Sequence, residues 1–472
     1  MRLVRSVAAA ALLLSTMRGA PLDEAGKQLA RAIFRQLIEI NTTDSTGNNT
    51  VAAQAMAKRL LDAGFPAADV KVLGPNERKG NLVARLRAAG TPTGKPILIL
   101  CHLDVVEARR ADWTTDPFQF VEKDGYFYGR GTQDVKENDA ALIATFIRFQ
   151  QEKWKPTRDL ILALTSDEEG GKFNGVDWLL KNHRDLVDAE FALNADAGGV
   201  TSVKGKIVNI DIEAAEKLYA DFQFSATNPG GHSSLPVPDN AIYQLANALT
   251  RIEKVMMPLE LSDITRTYFE RRAALETGQM KEDMLQLIRI PTNPDAVKRL
   301  SADPRYNALL RTTCVPTLLS GGHATNALPQ LATANVNCRI LPGHSPEEVR
   351  NMLVALVNDP KVKVQYVGND RKPVDHGPTD KAFSPMMPRP EVLKPLEKVA
   401  DEMWPSAPVI PEMETDASDS IHTIAAGIPS YGVSGMAIDQ DDVRAHGKDE
   451  RIRVSSFYDG VEFFYRYLKA LR

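Results

Sequence analysis

Cysteine is scarce: Cys101, Cys314 and Cys338 are the three in a chain of 472 residues. They are odd in number and widely spaced, with no Cys-x-x-Cys pair, so neither a zinc knuckle nor a dithiol redox site is encoded and no disulfide framework can be inferred. Basic residues show no surplus. Lys and Arg total 57 against 61 Asp and Glu, a net charge of −4, which leaves nothing to neutralise a phosphate backbone and excludes nucleic acid as a main partner. Glycine and proline, 30 and 29 residues, are not in collagen-like or low-complexity excess. No motif recurs at a period of about 20 to 50 residues, which excludes solenoids and propellers. No apolar run reaches the ~20 residues that a membrane span needs, so no integral span is expected.

What is present begins with a distinct leader. Arg2 and Arg5 precede an apolar run from Val7 to Leu14, followed by Ser15, Thr16 and Ala20. Residues 1–20 therefore read as a signal peptide, which predicts a periplasmic or secreted protein; without cleavage and export the chain would be cytoplasmic. Beyond it, Leu29, Ile33, Phe34, Leu37 and Ile40 recur at helical spacing, and a second helix is expected from about Val51 to Ala63. Short apolar runs then alternate with helical stretches. Strands are expected at 81–86, 96–106, 159–166 and 191–195, with helices at 139–152 and 176–182, the pattern of an α/β layered domain. Ile97 to Leu100 and Leu160 to Leu164 are apolar on both faces, as central strands covered by helices must be.

The texture changes near Lys217. A strand at 219–226, a Gly and Pro turn at 228–231 and a helix from about Asp239 are followed by a charged helical insertion over 260–311. Ala332, Ala334, Val336, Cys338 and Ile340 then alternate with polar residues, which puts Arg339 on the polar face of a strand. Ser345, Pro346 and Glu348 supply the cap, first-turn proline and capping-box acid of a helix to about Val357, and a strand follows at 362–367. The predicted organisation is a catalytic domain in two parts, 21–216 and 369–472, interrupted by a smaller domain at 217–368. The last helix spans 455–471.

Polar residues suited to metal binding cluster just after the apolar strands, where an α/β sheet presents its functional edge. His102 and Asp104 follow one strand at i and i+2, on the same side if the strand continues. Gly129 to Asp134 joins a glycine turn to an acid. Asp167, Glu168 and Glu169 end another strand and repel one another unless a cation or solvent offsets them. Asp196 ends a third strand, and His446 lies in a polar loop before the last helix. Each alone is an ordinary turn or surface residue.

In this order the motifs His102-Leu103-Asp104-Val105-Val106, Gly129 to Lys136, Asp167 to Gly171, Asp196, Asn228 to Ser233, Gly322 to Pro329, Arg339 to Gly343 and His446-Gly447 resemble the M20 family of binuclear zinc peptidases and aminoacylases. The resemblance runs from about Gly80 to Val454. It implies a mixed-sheet zinc-peptidase catalytic domain with an inserted ferredoxin-like α/β lid, through which such proteins commonly form homodimers. It also implies two Zn²⁺ ions, with Co²⁺ or Mn²⁺ as alternatives. His102 and Asp196 would hold one ion, Glu169 and His446 the other, and Asp134 would bridge them at the ~3.5–4 Å separation used in two-metal hydrolysis.

The same resemblance makes Asp104 the hydrogen-bond acceptor that orients His102. Glu168 becomes the general base that takes a proton from the water acidified between the ions and returns it to the leaving nitrogen. His232, often serving the partner subunit, would stabilise the tetrahedral oxyanion. Arg339 and Asn326 would bind a substrate carboxylate. Thr415 and Asp416 match a Thr-Asp pair near the substrate, although Glu414 stands where glycine is common. Glu107 departs from the proline frequent after His-x-Asp-Val-Val. The expected activity is hydrolysis of an amide next to a free carboxylate, as in a dipeptidase or carboxypeptidase. The alternative is an N-acyl-amino-acid amidohydrolase, which uses the same metals and base, and the residues do not separate the two. A non-catalytic binding protein on the same fold would have lost the base or a ligand, and all are present.

Overall fold

The computed structural model describes residues 21–368, 371–381 and 387–471. The predicted leader lies outside the described residues. Helix Glu24–Ile38 starts on the Asp23 side chain, which accepts from the Gly26 amide, and buries Ile33, Phe34, Leu37 and Ile38. Helix Asn49–Asp62 opens two residues before the expected start because Asn48 caps it.

Ten strands form a mixed sheet. At its centre, Ile97–His102 runs parallel to both Leu160–Thr165 and Phe191–Asn194, while Asn81–Leu86 pairs antiparallel with Leu160–Thr165. All six residues of strands Ile97–His102 and Leu160–Thr165 are buried. Their alternation divides two cores. Ile97, Ile99 and Cys101 pack with helices Glu24–Ile38, Lys136–Gln151 and Val454–Ala470, whereas Leu98 and Leu100 pack with Val176 and Leu179 on the opposite face. Helices thus cover both faces, and the C-terminal ends of the parallel strands point to one edge.

Five further strands make an antiparallel sheet in the order Thr313–Gly321, Leu331–Ile340, Leu218–Thr227, Val362–Val367 and Pro373–Val374. Helices Ala241–Glu253 and Pro346–Val357 close one face over Phe222, Phe224, Val336 and Val364. The expected capping box is present, with Ser345 and Glu348 exchanging side-chain to backbone bonds. The charged insertion resolves into helices Asp263–Ala273, Gly278–Arg289, Pro294–Leu300 and Pro304–Leu310. Their core, which includes Ile264, Tyr268 and Phe269, is completed by Ala215, Ile410 and Met413 of the large sheet. Cys314 and Cys338 form a disulfide across directly paired positions of strands Thr313–Gly321 and Leu331–Ile340. Spacing could not reveal this pair, because strand register alone brings the two residues together. Among the described residues no helix is long and apolar enough to cross a membrane.

Candidate metal centre

His102 closes its central strand and is 1 % exposed. Its Nδ1 lies 3.0 Å from the Asp104 backbone carbonyl, so Nδ1 carries the hydrogen and Nε2 presents a lone pair. That lone pair faces carboxylate oxygens of Asp134 at 3.2 Å and Asp196 at 3.3 Å. Asp196 follows strand Phe191–Asn194, and the Asn138 side chain steadies its turn by donating to the Ala195 carbonyl at 2.9 Å. The other oxygen of Asp134 lies 2.9 Å from His446 Nε2, which is 3.0 Å from Glu169. Two donor groups result, His102 with Asp134 and Asp196, and Glu169 with Asp134 and His446; within each, the ligand atoms lie within 4.8 Å of one another.

This donor set fits two divalent ions. His102 Nε2 is buried with no hydrogen-bond partner, and a lone pair held against two carboxylates is repulsive unless a cation or a proton joins them. Without cations the titrations are displaced accordingly. Burial, then the charges of Asp196, Asp419 and Glu169, push Glu168 up to about 10. Hydrogen bonds to Asp134 and Glu169 push His446 up to about 10. Bound dications invert this logic and favour carboxylate and neutral imidazole.

The acid turn after strand Leu160–Thr165 is held from both sides. Asp167, at φ +61°, points back into an ion pair with the buried Lys79, which also reaches Asp44 at 2.6 Å. Glu168 and Glu169 then receive their backbone anchor from Asp104, whose carboxylate accepts their N–H groups at 3.2 and 3.0 Å. This corrects the expected role of Asp104. Its carboxylate stands 3.8 Å from His102 Nδ1, and its backbone carbonyl, being nearer, orients the ring. Glu107 fastens the neighbouring loop through Ser45, accepting from its amide at 3.0 Å and its hydroxyl at 2.9 Å.

The loop before Asp134 turns at Gly131, φ +91°, where a Cβ would stand 2.9 Å from the Lys136 side chain. Lys136 in turn donates to the carbonyls of Leu37 and Ile40 at the end of the first helix, at 2.9 and 2.8 Å.

The remaining predicted residues are not brought to this cluster. His232 is exposed in the two-residue strand Gly231–His232, which pairs with Ala327–Leu328, and its Nδ1 accepts the Ser234 amide at 3.1 Å. Asn326 lies beside it, accepting the Ser233 amide at 3.0 Å through its carbonyl. Arg339 stacks over Tyr219 at 4.9 Å and lies 3.7 Å from Asp416. Thr415 is half-buried and Asp416 exposed. The acid of this segment whose charge acts on Glu168 is Asp419, buried and accepting from Thr165 Oγ1 at 3.1 Å and Asn174 Nδ2 at 2.6 Å. Nothing in the local sequence favoured it over Asp416. The sequence likewise assigns no role to Lys79, Arg130, Gln133 and Glu450, because each acts through loops distant in sequence.

The sequence model of peptidase family M20/M25/M40 matches residues 98–470. The chain belongs to this family. It is 28% identical over 388 residues to a probable carboxypeptidase S-like 2 of Dictyostelium discoideum, covering 79% of this chain and 71% of that one. It is 29% identical over 388 residues to the human N-fatty-acyl-amino acid synthase/hydrolase PM20D1, covering 80% and 74%. Its fold is similar to that of the M20 metallo-carboxypeptidase Sso-CP2 from Sulfolobus solfataricus, with a TM-score of 0.67 at 17% identity over 94% of this chain and 99% of that one. The M20 chain is thus a metallopeptidase or amidohydrolase, and it carries two candidate ligand groups.

Proposed function

We propose that this M20 chain is a zinc-dependent hydrolase of amide bonds adjacent to a free carboxylate, acting as a dipeptidase or carboxypeptidase. The observation that carries the reading is the pair of histidine and carboxylate groups sharing Asp134, with Glu168 beside ligand Glu169. His102 and Asp196 would hold one ion, Glu169 and His446 the second, and Asp134 both. Bound there, two such ions would supply Lewis acidity toward the scissile carbonyl and acidify a water near neutral pH. Glu168 accepts the proton of the attacking water and delivers it to the leaving nitrogen, so hydrolysis needs no covalent intermediate. Asp104 and Lys79 hold the acid turn that aims it. Arg339 pairs with the substrate carboxylate through its planar fork, aided by Asn326, and Thr415 lines the approach.

His232, exposed on the inserted unit, is suited to stabilise the oxyanion in a second copy of the chain. A homodimer through that unit is supported by the open edge strand Thr313–Gly321, where Leu318 and Leu319 are 71% and 72% exposed. In this reading the catalytic domain comprises 21–216 and 369–472, the lid 217–368. The Cys314–Cys338 disulfide supports export to the periplasm or outside the cell, where such bonds persist.

A second reading, N-acyl-amino-acid hydrolysis, is favoured by the activity for which the human relative is named. Incubation of the zinc-loaded protein with dipeptides, longer peptides and N-acyl amino acids, with Glu168→Gln as control, separates the two by mass spectrometry of products. Release of C-terminal residues supports the peptidase. Removal of acyl chains alone supports the aminoacylase, and no product from any substrate overturns both.

A further inference from the structure

The Glu169–His446 half of the centre depends on a loop with little packing of its own. His446 has a side chain 53% exposed, stands at φ +63°, and belongs to a stretch, 440–450, without helix or strand. Buried contacts to the loop before Asp134 hold it instead. The Glu450 carboxylate is fully buried and accepts the Gly131 and Gln133 amides at 3.1 and 2.7 Å on one oxygen, while its other oxygen pairs with Arg130. Arg130 is buried against the Trp113 ring at 5.1 Å, and its second terminal nitrogen donates to the His446 carbonyl at 3.3 Å. The Gln133 side chain accepts the Arg444 and Ala445 amides at 2.7 and 3.1 Å and donates to the Asp442 and Arg451 carbonyls at 3.0 and 2.7 Å. The backbone on both sides of His446 is therefore tied to the residues just before Asp134.

We propose that Arg130, Gln133 and Glu450 are positioning residues that lock His446 to Asp134 and so set the metal affinity of the Glu169–His446 half. The other half needs them only through the shared Asp134. His102 and Asp196 are carried by strands Ile97–His102 and Phe191–Asn194, which pair directly with each other. A buried Arg–Glu pair contributes little net stability once desolvation is counted, whereas a fixed geometry between two ligand loops is a use that justifies it. The inference rests on the metal-centre reading above.

The test is zinc titration of the chelator-stripped full chain by calorimetry, with circular dichroism as the check of folding, for wild type, Gln133→Ala and Glu450→Gln. Wild type is expected to bind two zinc ions. Each variant should bind one ion within about threefold of wild type, that site sharing only Asp134 with the clamp, and the second ion about 10- to 100-fold more weakly. Gln133→Ala removes no buried charge, so it decides the matter if Glu450→Gln does not fold. Two sites of unchanged affinity in a folded variant, or equal weakening of both, overturn the clamp. A wild-type chain that takes up no zinc overturns the metal reading itself, and the inference falls with it.

Discussion

Glu168 and Glu169 are chain neighbours with different neighbourhoods. Glu169 meets His446 at 3.0 Å, whereas Glu168 is crowded by burial and by the charges of Asp196 and Asp419. If Glu168 is the base, Glu168→Gln should lower kcat by about 10²- to 10⁴-fold while both metal ions stay bound, as measured by steady-state kinetics beside metal analysis. A variant with wild-type turnover would remove Glu168 from that role. Arg339→Ala should raise KM about 10- to 100-fold for substrates with a free carboxylate through loss of a charged hydrogen-bond pair. Amidated substrates should be unaffected; equal effects on both would exclude carboxylate recognition. At this scale the candidate ligands were legible only together, through the ordered set of motifs that carries the family resemblance, since each of His102, Asp134, Glu169, Asp196 and His446 alone is an ordinary turn or surface residue. Asp104 and Asp419 were not. Whether a carboxylate serves a ring or a backbone amide depends on distances of under 1 Å, and spacing does not carry them.

Single elements were read well where the chain is periodic or capped. Strands Ile97–His102 and Leu160–Thr165 follow from unbroken apolar runs, and helix Pro346–Val357 from its capping box. Short strands such as Ser430–Gly432 and Ala437–Asp439 carry too few residues for a period, and tertiary bonds define them. Asp439 shows how. Its carboxylate accepts from Ser202 Oγ at 2.8 Å, the Gly205 amide at 2.7 Å and Arg453 Nε at 2.6 Å. Burial opposes its charge, but these bonds prevail and hold it below the usual carboxylate range. The unfolded chain therefore takes up this proton first as pH falls. The stabilisation is complete above about pH 4 and drains away as pH falls through the depressed folded value. Asp439→Asn should cost about 1–3 kcal/mol near neutrality, and urea unfolding should find wild type and variant converging in acid. A difference that persists at low pH would contradict the assignment.

For the whole molecule, the α/β class and the inserted second sheet were legible in the alternation of strands and helices and in the change of texture near Lys217. The docking of the helical insertion onto Ile410 and Met413 was not, because its partners come from beyond the insertion. The candidate metal centre draws on both parts of the chain in the same way. Ions that bind the folded state alone stabilise it by mass action, about 2.7 kcal/mol at a hundredfold excess over Kd. Chelation should lower Tm, and Tm should climb with the logarithm of free zinc. An identical Tm with and without chelator would argue against a resident metal pair.

The long separation between His446 and the other four ligands has a consequence for synthesis. A ribosome releases the chain from its N-terminus, so His102, Asp134, Glu169 and Asp196 emerge well before the stretch that carries Glu450. A nascent or prematurely terminated chain then carries four of the five candidate ligands and lacks the last donor, along with the strands that complete the large sheet. In the proposed reading, assembly of both sites waits for the final segment of translation, and a truncated product would lack the second one.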